Sequence, residues 1–364
     1  MLLSKKKLCV VMPALERGGA ERVVLTILNN IDLDIFDVKL LVIENRGNYL
    51  EELRPEIQLD TLNIKRVSKS IFPLVRYLRK HKPNVVFSSL SHMNLILTLV
   101  KPFIPSNIKL IVRETSIPSI HNANFKFKSL VALLYRWGYN RVDKVICQCQ
   151  YMKSDLHENF GIKNSQMTVI NNPVDAENIY SKLTDSNCDN TQKKKVNLIA
   201  VGSIEELKQY DHLLVALSKL NNTDWQCTIL GSGSKLDDMK SLCKQLKIEG
   251  QVSFLGRVNN PYPYINESDA LILTSKYEGF PNGVLEAITL GVPVLAYDCP
   301  GGIREIIVDG LNGKLIPMGD TDMLAQQISK LDKNEFDKEK IAQLALKKFN
   351  SKYILNKYQE ILMS

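Results

Sequence analysis

Short apolar runs alternate with helix-length amphipathic segments along the whole 364-residue chain. This alternation restricts the fold more than any single motif. Strands are predicted over Leu8–Met12, Val38–Ile43, Val85–Ser88, Leu110–Arg113, Lys144–Cys149 and Met167–Ile170. Further strands are predicted over Asn197–Val201, Trp225–Leu230, Val252–Leu255, Ala270–Thr274 and Val292–Tyr297. Helical spacing falls between them over Glu21–Asn30, Phe72–Lys80, Ser129–Asn140, Leu213–Leu220 and Leu236–Leu246. Strands joined by helical crossovers build parallel sheets, so the fold class is α/β.

A chain of this length accommodates two domains. The polar, strandless stretch Asp185–Lys195 (DSNCDNTQKKK) reads as a linker, and the boundary lies between Asn172 and Lys195. The domains are 1–180 and 181–348, followed by a C-terminal segment 349–364. In that segment Tyr353, Ile354, Tyr358, Ile361 and Leu362 recur at helical spacing.

Seven cysteines form no C-x-x-C pair, and several sit within apolar runs, which indicates free thiols in a reducing compartment. No apolar stretch reaches the length of a membrane span. The basic, apolar start is broken by Pro13 and Glu16 and reads as a buried strand, not a signal peptide. Residues 1–180 carry 25 Lys and Arg against 16 Asp and Glu, while the remainder carries 22 against 23. The basic half favours an anionic partner. No nucleic-acid-binding module accompanies the charge, so nucleic acid is not expected.

The most informative segment is Lys276–Pro293, KYEGFPNGVLEAITLGVP. Glu278 and Glu286 stand eight residues apart, with Gly279, Phe280, Pro281 and Asn282 following the first. A strand, a tight loop and a helix start place backbone N–H groups at a strand's carboxyl end, where open α/β sheets bind phosphorylated ligands. Glu286 is expected in the first turn of that helix, favoured by the dipole and able to accept from a diol such as a ribose. Near the start, Gly18 and Gly19 follow the first strand and open a helix, a setting for close approach to a ligand or for a plain turn. The full G-x-G-x-x-G spacing is missing, which argues against NAD.

The string EGFPNGVLEA followed by GVPV resembles the E-x7-E motif of the retaining GT-B glycosyltransferases of family 4, the group 1 glycosyl transferases. The resemblance covers nearly the whole chain and is most specific from Val252 to Pro317. It implies two Rossmann-like domains with parallel sheets facing an interdomain cleft. The N-terminal domain binds the acceptor, the C-terminal domain binds the nucleotide sugar, and the last helix crosses back to the N-terminal domain. It assigns Glu278 to the donor sugar, the loop Gly279–Asn282 to the diphosphate and Glu286 to the ribose. Gly18 and Gly19 would face the diphosphate from the N-terminal side.

In Val201–Lys208 the resemblance matches Lys208 to a cation on the leaving diphosphate, making Glu278 and Lys208 the catalytic pair. Ser203 stands where the family carries arginine, and Arg257 is the nearest compensating charge. Gly231 fits the family's glycine turn. On the acceptor side the candidates are His92, Asn94, Arg113 and Glu114, with His92 equally suited to capping a helix.

The implied chemistry retains anomeric configuration, with the leaving phosphate deprotonating the acceptor and no side-chain base. No metal or other cofactor is expected. Asp32-Leu33-Asp34 reads as a solvated turn, and Asn312-Gly313 as a turn with positive φ. The expected reaction moves a hexose or N-acetylhexosamine from a UDP-sugar to a glycan, polyprenyl-linked, in cell-surface polysaccharide synthesis. The expected location is the cytoplasm, at the inner membrane's cytoplasmic face. Lys69–Lys82 and Phe125–Arg136 combine basic and apolar residues, which suits either an anionic membrane or ordinary core-facing helices. Two rivals stand beside this reading. A sugar-nucleotide epimerase lacks a clear proton-transfer set, and a non-catalytic glycan- or lipid-binding scaffold has only Ser203 in its favour.

Overall fold

The computed structural model describes residues 5–16, 18–123, 128–183, 196–221, 224–332 and 335–364. The expected linker Asp185–Lys195 and part of Phe125–Arg136 lie outside them. The chain forms two compact units, Met1–Pro173 with Ser351–Ser364, and Val174–Asn350. The divisions therefore fall earlier than 180 and later than 348.

The first unit contains strands β1 (Lys6–Met12), β2 (Phe36–Val42), β3 (Gln58–Thr61), β4 (Val85–Ser89), β5 (Lys109–Arg113), β6 (Lys144–Cys147) and β7 (Met167–Val169). They form one parallel sheet in the order β3-β2-β1-β4-β5-β6-β7. Its helices are α1 (Gly19–Asn30), α2 (Ile71–His81), α3 (Ser91–Val100), α4 (Pro118–His121), α5 (Lys128–Tyr139) and α6 (Gln150–Phe160).

The second unit has β8 (Val196–Val201), β9 (Trp225–Leu230), β10 (Val252–Gly256), β11 (Ala270–Leu273), β12 (Val294–Tyr297) and β13 (Gly313–Ile316), again parallel, in the order β10-β9-β8-β11-β12-β13. Its helices are α7 (Ala176–Ser181), α8 (Tyr210–Ser218), α9 (Leu236–Gln245), α10 (Tyr262–Asn266), α11 (Asn282–Thr289), α12 (Ile303–Ile306), α13 (Thr321–Ser329) and α14 (Lys338–Phe349). Helix α15 (Ser351–Met363) then returns to the first unit.

Central parallel strands are covered on both faces, so they appear in the sequence as unbroken apolar runs. Val10, Val11 and Met12 are fully buried, as are Ala270 to Leu273. Helix α15 lays Ile354, Leu355, Tyr358 and Leu362 into the core of the first unit, beside Leu8, Val24 and Phe87. Each such side chain contributes on the order of 1.5–3 kcal/mol by burial.

Strands β3 and β13 are absent from the sequence reading. Both are edge strands, and QLDT of β3 buries no residue fully. Asn312-Gly313 is not a positive-φ turn. Gly310 takes that role (φ 75°), while Gly313 opens β13, where a Cβ would fall 2.1 Å from the Val294 carbonyl oxygen. Asn312 is buried, accepting from Val308 N at 2.7 Å and donating to Ile306 O at 3.0 Å. Asp32-Leu33-Asp34 is an exposed turn, with Asp34 N donating to the Asp32 carboxylate at 2.8 Å.

Candidate active site

Each sheet order reverses once, between β1 and β4 and between β8 and β11. Such switch points open a crevice at the strands' carboxyl ends. In the second unit the crevice is walled by the loops after β8, β9, β11 and β12.

Glycines bring these loops together. Gly202 N donates to Leu230 O at 2.9 Å, and Gly231 N donates to Gly256 O at 2.8 Å. A Cβ on Gly231 (φ 151°) would lie 1.8 Å from the Gly202 oxygen, so no other residue fits. The loop after β8 is stitched to the loop after β11 by Thr274 Oγ1 donating to Lys208 O (2.9 Å) and Lys276 N donating to Leu207 O (2.8 Å).

This stitching carries the Lys208 ammonium to Glu278, with Nζ 2.6 Å from Oε1. Ser275 Oγ donates to the same oxygen at 2.6 Å. Both charged side chains are largely buried, 17% and 11% exposed. The Glu278 backbone is clamped in turn. Its N donates to Pro300 O at 3.0 Å, and Gly302 N donates to its O at 3.2 Å. The pair expected to be catalytic is thus assembled by the fold at the switch point.

Glu278 colours its surroundings. Burial first, then the Glu278 charge, pushes the Cys299 thiol up to about 12 and lifts the Tyr210 and Tyr277 phenols above their ordinary values. Lys208 opposes this at Cys299. Ser275 and Tyr210 were not singled out from the sequence. Ser275 sits three residues before Glu278, and that spacing was the available signal.

The remaining donor-side residues divide. Helix α11 begins at Asn282, so Glu286 lies beyond its first turn, and no acidic residue occupies that turn. The dipole argument for Glu286 is corrected accordingly, although its side chain is held close to the core at 7% exposure. The Phe280 ring does not face the crevice loop's open side. It is buried edge-on against Phe349 at 5.7 Å, and a Cβ on Gly302 would meet it at 2.4 Å. Only its backbone is left for a ligand. Pro281 is buried, Gly279 and Asn282 are partly buried, and Ser203 is exposed. Arg257 is exposed, with Nε donating to Ser232 Oγ at 2.8 Å.

In the first unit Gly18 caps α1 and Gly19 begins it. The Glu21 carboxylate folds back over Gly18, where a Cβ would come within 2.3 Å of Oε2. Burial raises the Glu21 carboxyl, aided by Glu16, while Arg113 draws it down. After β4, Leu90 takes φ 81°, a costly conformation for a branched side chain.

The acceptor-side assignments need correction. Arg113, Glu114 and Asn94 are fully buried. Arg113 donates to Tyr358 Oη (3.0 Å), Ser89 Oγ (3.0 Å) and Asn172 Oδ1 (2.6 Å). Glu114 accepts from Tyr139 Oη at 2.6 Å and from Thr115 N at 2.8 Å, and it also receives the Ser91 hydroxyl. Asn94 donates to Arg113 O at 2.9 Å. These three brace the interior of the sheet, and of the four only His92, at the start of α3, is exposed.

Among the described residues no cluster of three or more His, Cys, Asp or Glu is placed to hold a metal ion. No helix among them is long and apolar enough to cross a membrane.

Residues 17–178 match the Glycosyltransferase Family 4 family, and residues 182–348 match Glycosyl transferases group 1. The chain is 29% identical, over 94% of its length and 99% of the relative's, to the N-acetylgalactosamine-N,N'-diacetylbacillosaminyl-diphospho-undecaprenol 4-alpha-N-acetylgalactosaminyltransferase of Campylobacter jejuni. It is 23% identical to the amylovoran biosynthesis glycosyltransferase AmsD of Erwinia amylovora, over 95% of this chain and 96% of that one. Among solved structures, Anabaena HepE in complex with UDP and glucose superposes with a TM-score of 0.84 at 19% identity, covering 98% of this chain and 99% of that one. The paired parallel sheets, the Lys208–Glu278 centre and these matches over both units make this chain a glycosyltransferase of the GT-B fold, a member of the group 1, family 4 enzymes.

Proposed function

We propose that this glycosyltransferase moves a hexose or N-acetylhexosamine from a UDP-sugar to a polyprenyl-linked glycan, with retention, in the synthesis of a cell-surface polysaccharide. The observation that carries the proposal is the Lys208–Glu278 pair at the β8/β11 switch point, 2.6 Å apart and clamped by the loops after β8, β11 and β12. Lys208 neutralises the departing diphosphate together with backbone N–H groups at the start of α11, charge that other transferases take from a divalent metal. Glu278 accepts from hydroxyls of the donor sugar. The leaving phosphate takes the acceptor's proton on the face it vacates, so no side-chain base is required. Glu286 grips the ribose.

The UDP donor is supported by the UDP complexes of HepE. The lipid-linked acceptor is supported by the undecaprenol named for the Campylobacter relative, and the polysaccharide by the amylovoran transferase. Contact with an anionic membrane at the cytoplasmic face is supported by apolar side chains standing out among basic ones. Phe72 on α2 is 85% exposed beside Arg76 and Arg79, and Leu133 on α5 is 60% exposed near Arg136.

The test is UDP release from a panel of UDP- and GDP-sugars, with and without polyprenyl-linked acceptor. Acceptor-dependent release from one UDP-sugar, lost in Glu278→Gln, is the expected result. Release from GDP-sugars alone overturns the donor, and release indifferent to Glu278→Gln overturns the assignment of the site.

A further inference from the structure

The first unit carries a groove between α2 and strands β1 to β3. It has two adjoining lobes of about 240 and 550 Å³ that share Tyr77, Lys80 and His81 as a common wall. The smaller lobe reaches Lys7, near the start of β1, and Lys39, in the middle of β2. The larger runs past Arg76 to Thr61, at the carboxyl end of β3. Together the lobes fall in the size range of small-ligand sites, roughly 300–1,000 Å³. The catalytic pair belongs to the other unit, and neither Gly18 nor Gly19 lines this groove.

Its chemistry is unusual for a plain surface. Lys7, Lys39, Arg76 and Lys80 all line it, and none forms a salt bridge with a described carboxylate. Of the two acids in the lining, Asp60 is already engaged. Tyr77 Oη donates to its Oδ2 at 2.5 Å and Gln58 Nε2 to its Oδ1 at 3.3 Å. Asp37 is the other. Four cations therefore converge on a space that holds two carboxylates, an excess of positive charge. Burial, then Lys39, pushes the His81 imidazole below its ordinary value. Tyr77 and His81 stack at 4.2 Å with 27° between planes. A stacked aromatic pair offers a π-face to the weakly positive C–H face of a pyranose. The lysines and Arg76 offer charge-assisted hydrogen bonds to a carboxylate or phosphate.

We propose that this groove is a binding site for an anionic saccharide, a sugar unit bearing a carboxylate or phosphate, separate from the donor site. Tyr77 stacks on the pyranose, Lys39 and Lys80 grip the anion between the lobes, and Gln58 and Thr61 take hydroxyls where the groove climbs toward the strand ends. The groove would hold a charged unit of a glycan while the chemistry proceeds elsewhere on the enzyme.

The experiment is titration of the full chain with trigalacturonate, glucose 6-phosphate, maltotriose, inorganic phosphate and phosphatidylglycerol vesicles, alongside UDP as a control. The expected result is binding of trigalacturonate or glucose 6-phosphate, absent for maltotriose and weakening with salt. That affinity should fall at least tenfold in the double variant Lys39→Ser, Lys80→Ser, and likewise in Arg76→Ser, with UDP binding unchanged. Four outcomes overturn the site: no binding of either anionic sugar, binding indifferent to the variants, inorganic phosphate bound as tightly as glucose 6-phosphate, or binding of vesicles alone.

Discussion

The Lys208 ammonium and the Glu278 carboxylate meet at 2.6 Å, and Ser275 Oγ completes the contact on the same oxygen. The two charges thus neutralise each other. Under the proposed mechanism, incoming phosphate would compete with Glu278 for Lys208 and free the carboxylate for the sugar. Lys208→Ala should lower kcat by about 10²–10³, the cost of losing one preorganised stabiliser of developing charge. It should also lower Tm, because Glu278 is left largely buried without its cation. UDP-release kinetics and a thermal melt read the two effects separately.

Ser275 Oγ donates to the Glu278 carboxylate at 2.6 Å, a positioning contact. Ser275→Ala removes a hydrogen bond to a charged group, a contribution of about 1.5–3 kcal/mol. The loss should appear mainly in kcat, with UDP affinity unchanged, and Ser275→Thr should restore part of it. An equal fall in UDP affinity would contradict the positioning role.

For Glu286 the expected signature is the reverse. Glu286→Ala should weaken UDP binding by about 10- to 150-fold, equivalent to 1.5–3 kcal/mol of charge-assisted bonding, with the fold intact. Isothermal titration with UDP decides it, and unchanged affinity rules out the ribose contact.

Arg113 should behave as a brace. Arg113→Ala takes the guanidinium donors away from Tyr358, Ser89 and Asn172 in the interior. The expected cost is about 3 kcal/mol or more, read by denaturant melting. Tyr358→Phe should cost about 1–3 kcal/mol, because Arg113 Nε loses its acceptor. UDP affinity should stay at the wild-type value in Tyr358→Phe.

Alkaline pH should destabilise the chain. The buried thiols of Cys9, Cys227 and Cys299 are pushed up to about 12, and that of Cys243 to about 11, by burial. In the unfolded chain the same thiols titrate near 9. Between these values the unfolded state binds fewer protons than the folded one, so stability falls as pH rises from about 9 toward 12, by up to about 1.4 kcal/mol per pH unit for each thiol. Below pH 9 these thiols make no contribution to the slope. Urea melts at pH 7.5, 9 and 10.5 measure it, and iodoacetamide should leave Cys299 unlabelled at pH 8.

The central strands were legible because a parallel strand covered on both faces must be apolar at nearly every position, as LCVVM and ALIL are. Glu278 and Lys208 were legible because the segments that carry them resemble the family's motifs. Strands β3 and β13 were not, since each is four residues long and QLDT and GKLI carry too few apolar residues to form a run. Arg113 misled for a different reason. A basic residue at a strand end reads as surface, and its partner Tyr358 is 245 residues away.

The return of α15 to the first unit also sets an order of assembly. Ile354, Tyr358 and Leu362 complete a core whose strands leave the ribosome long before them, whereas the second unit is contiguous in sequence. Domains fold as units during synthesis. The unit made first is therefore finished last, and a chain terminated ahead of Ser351 would carry a whole second unit joined to an open first one.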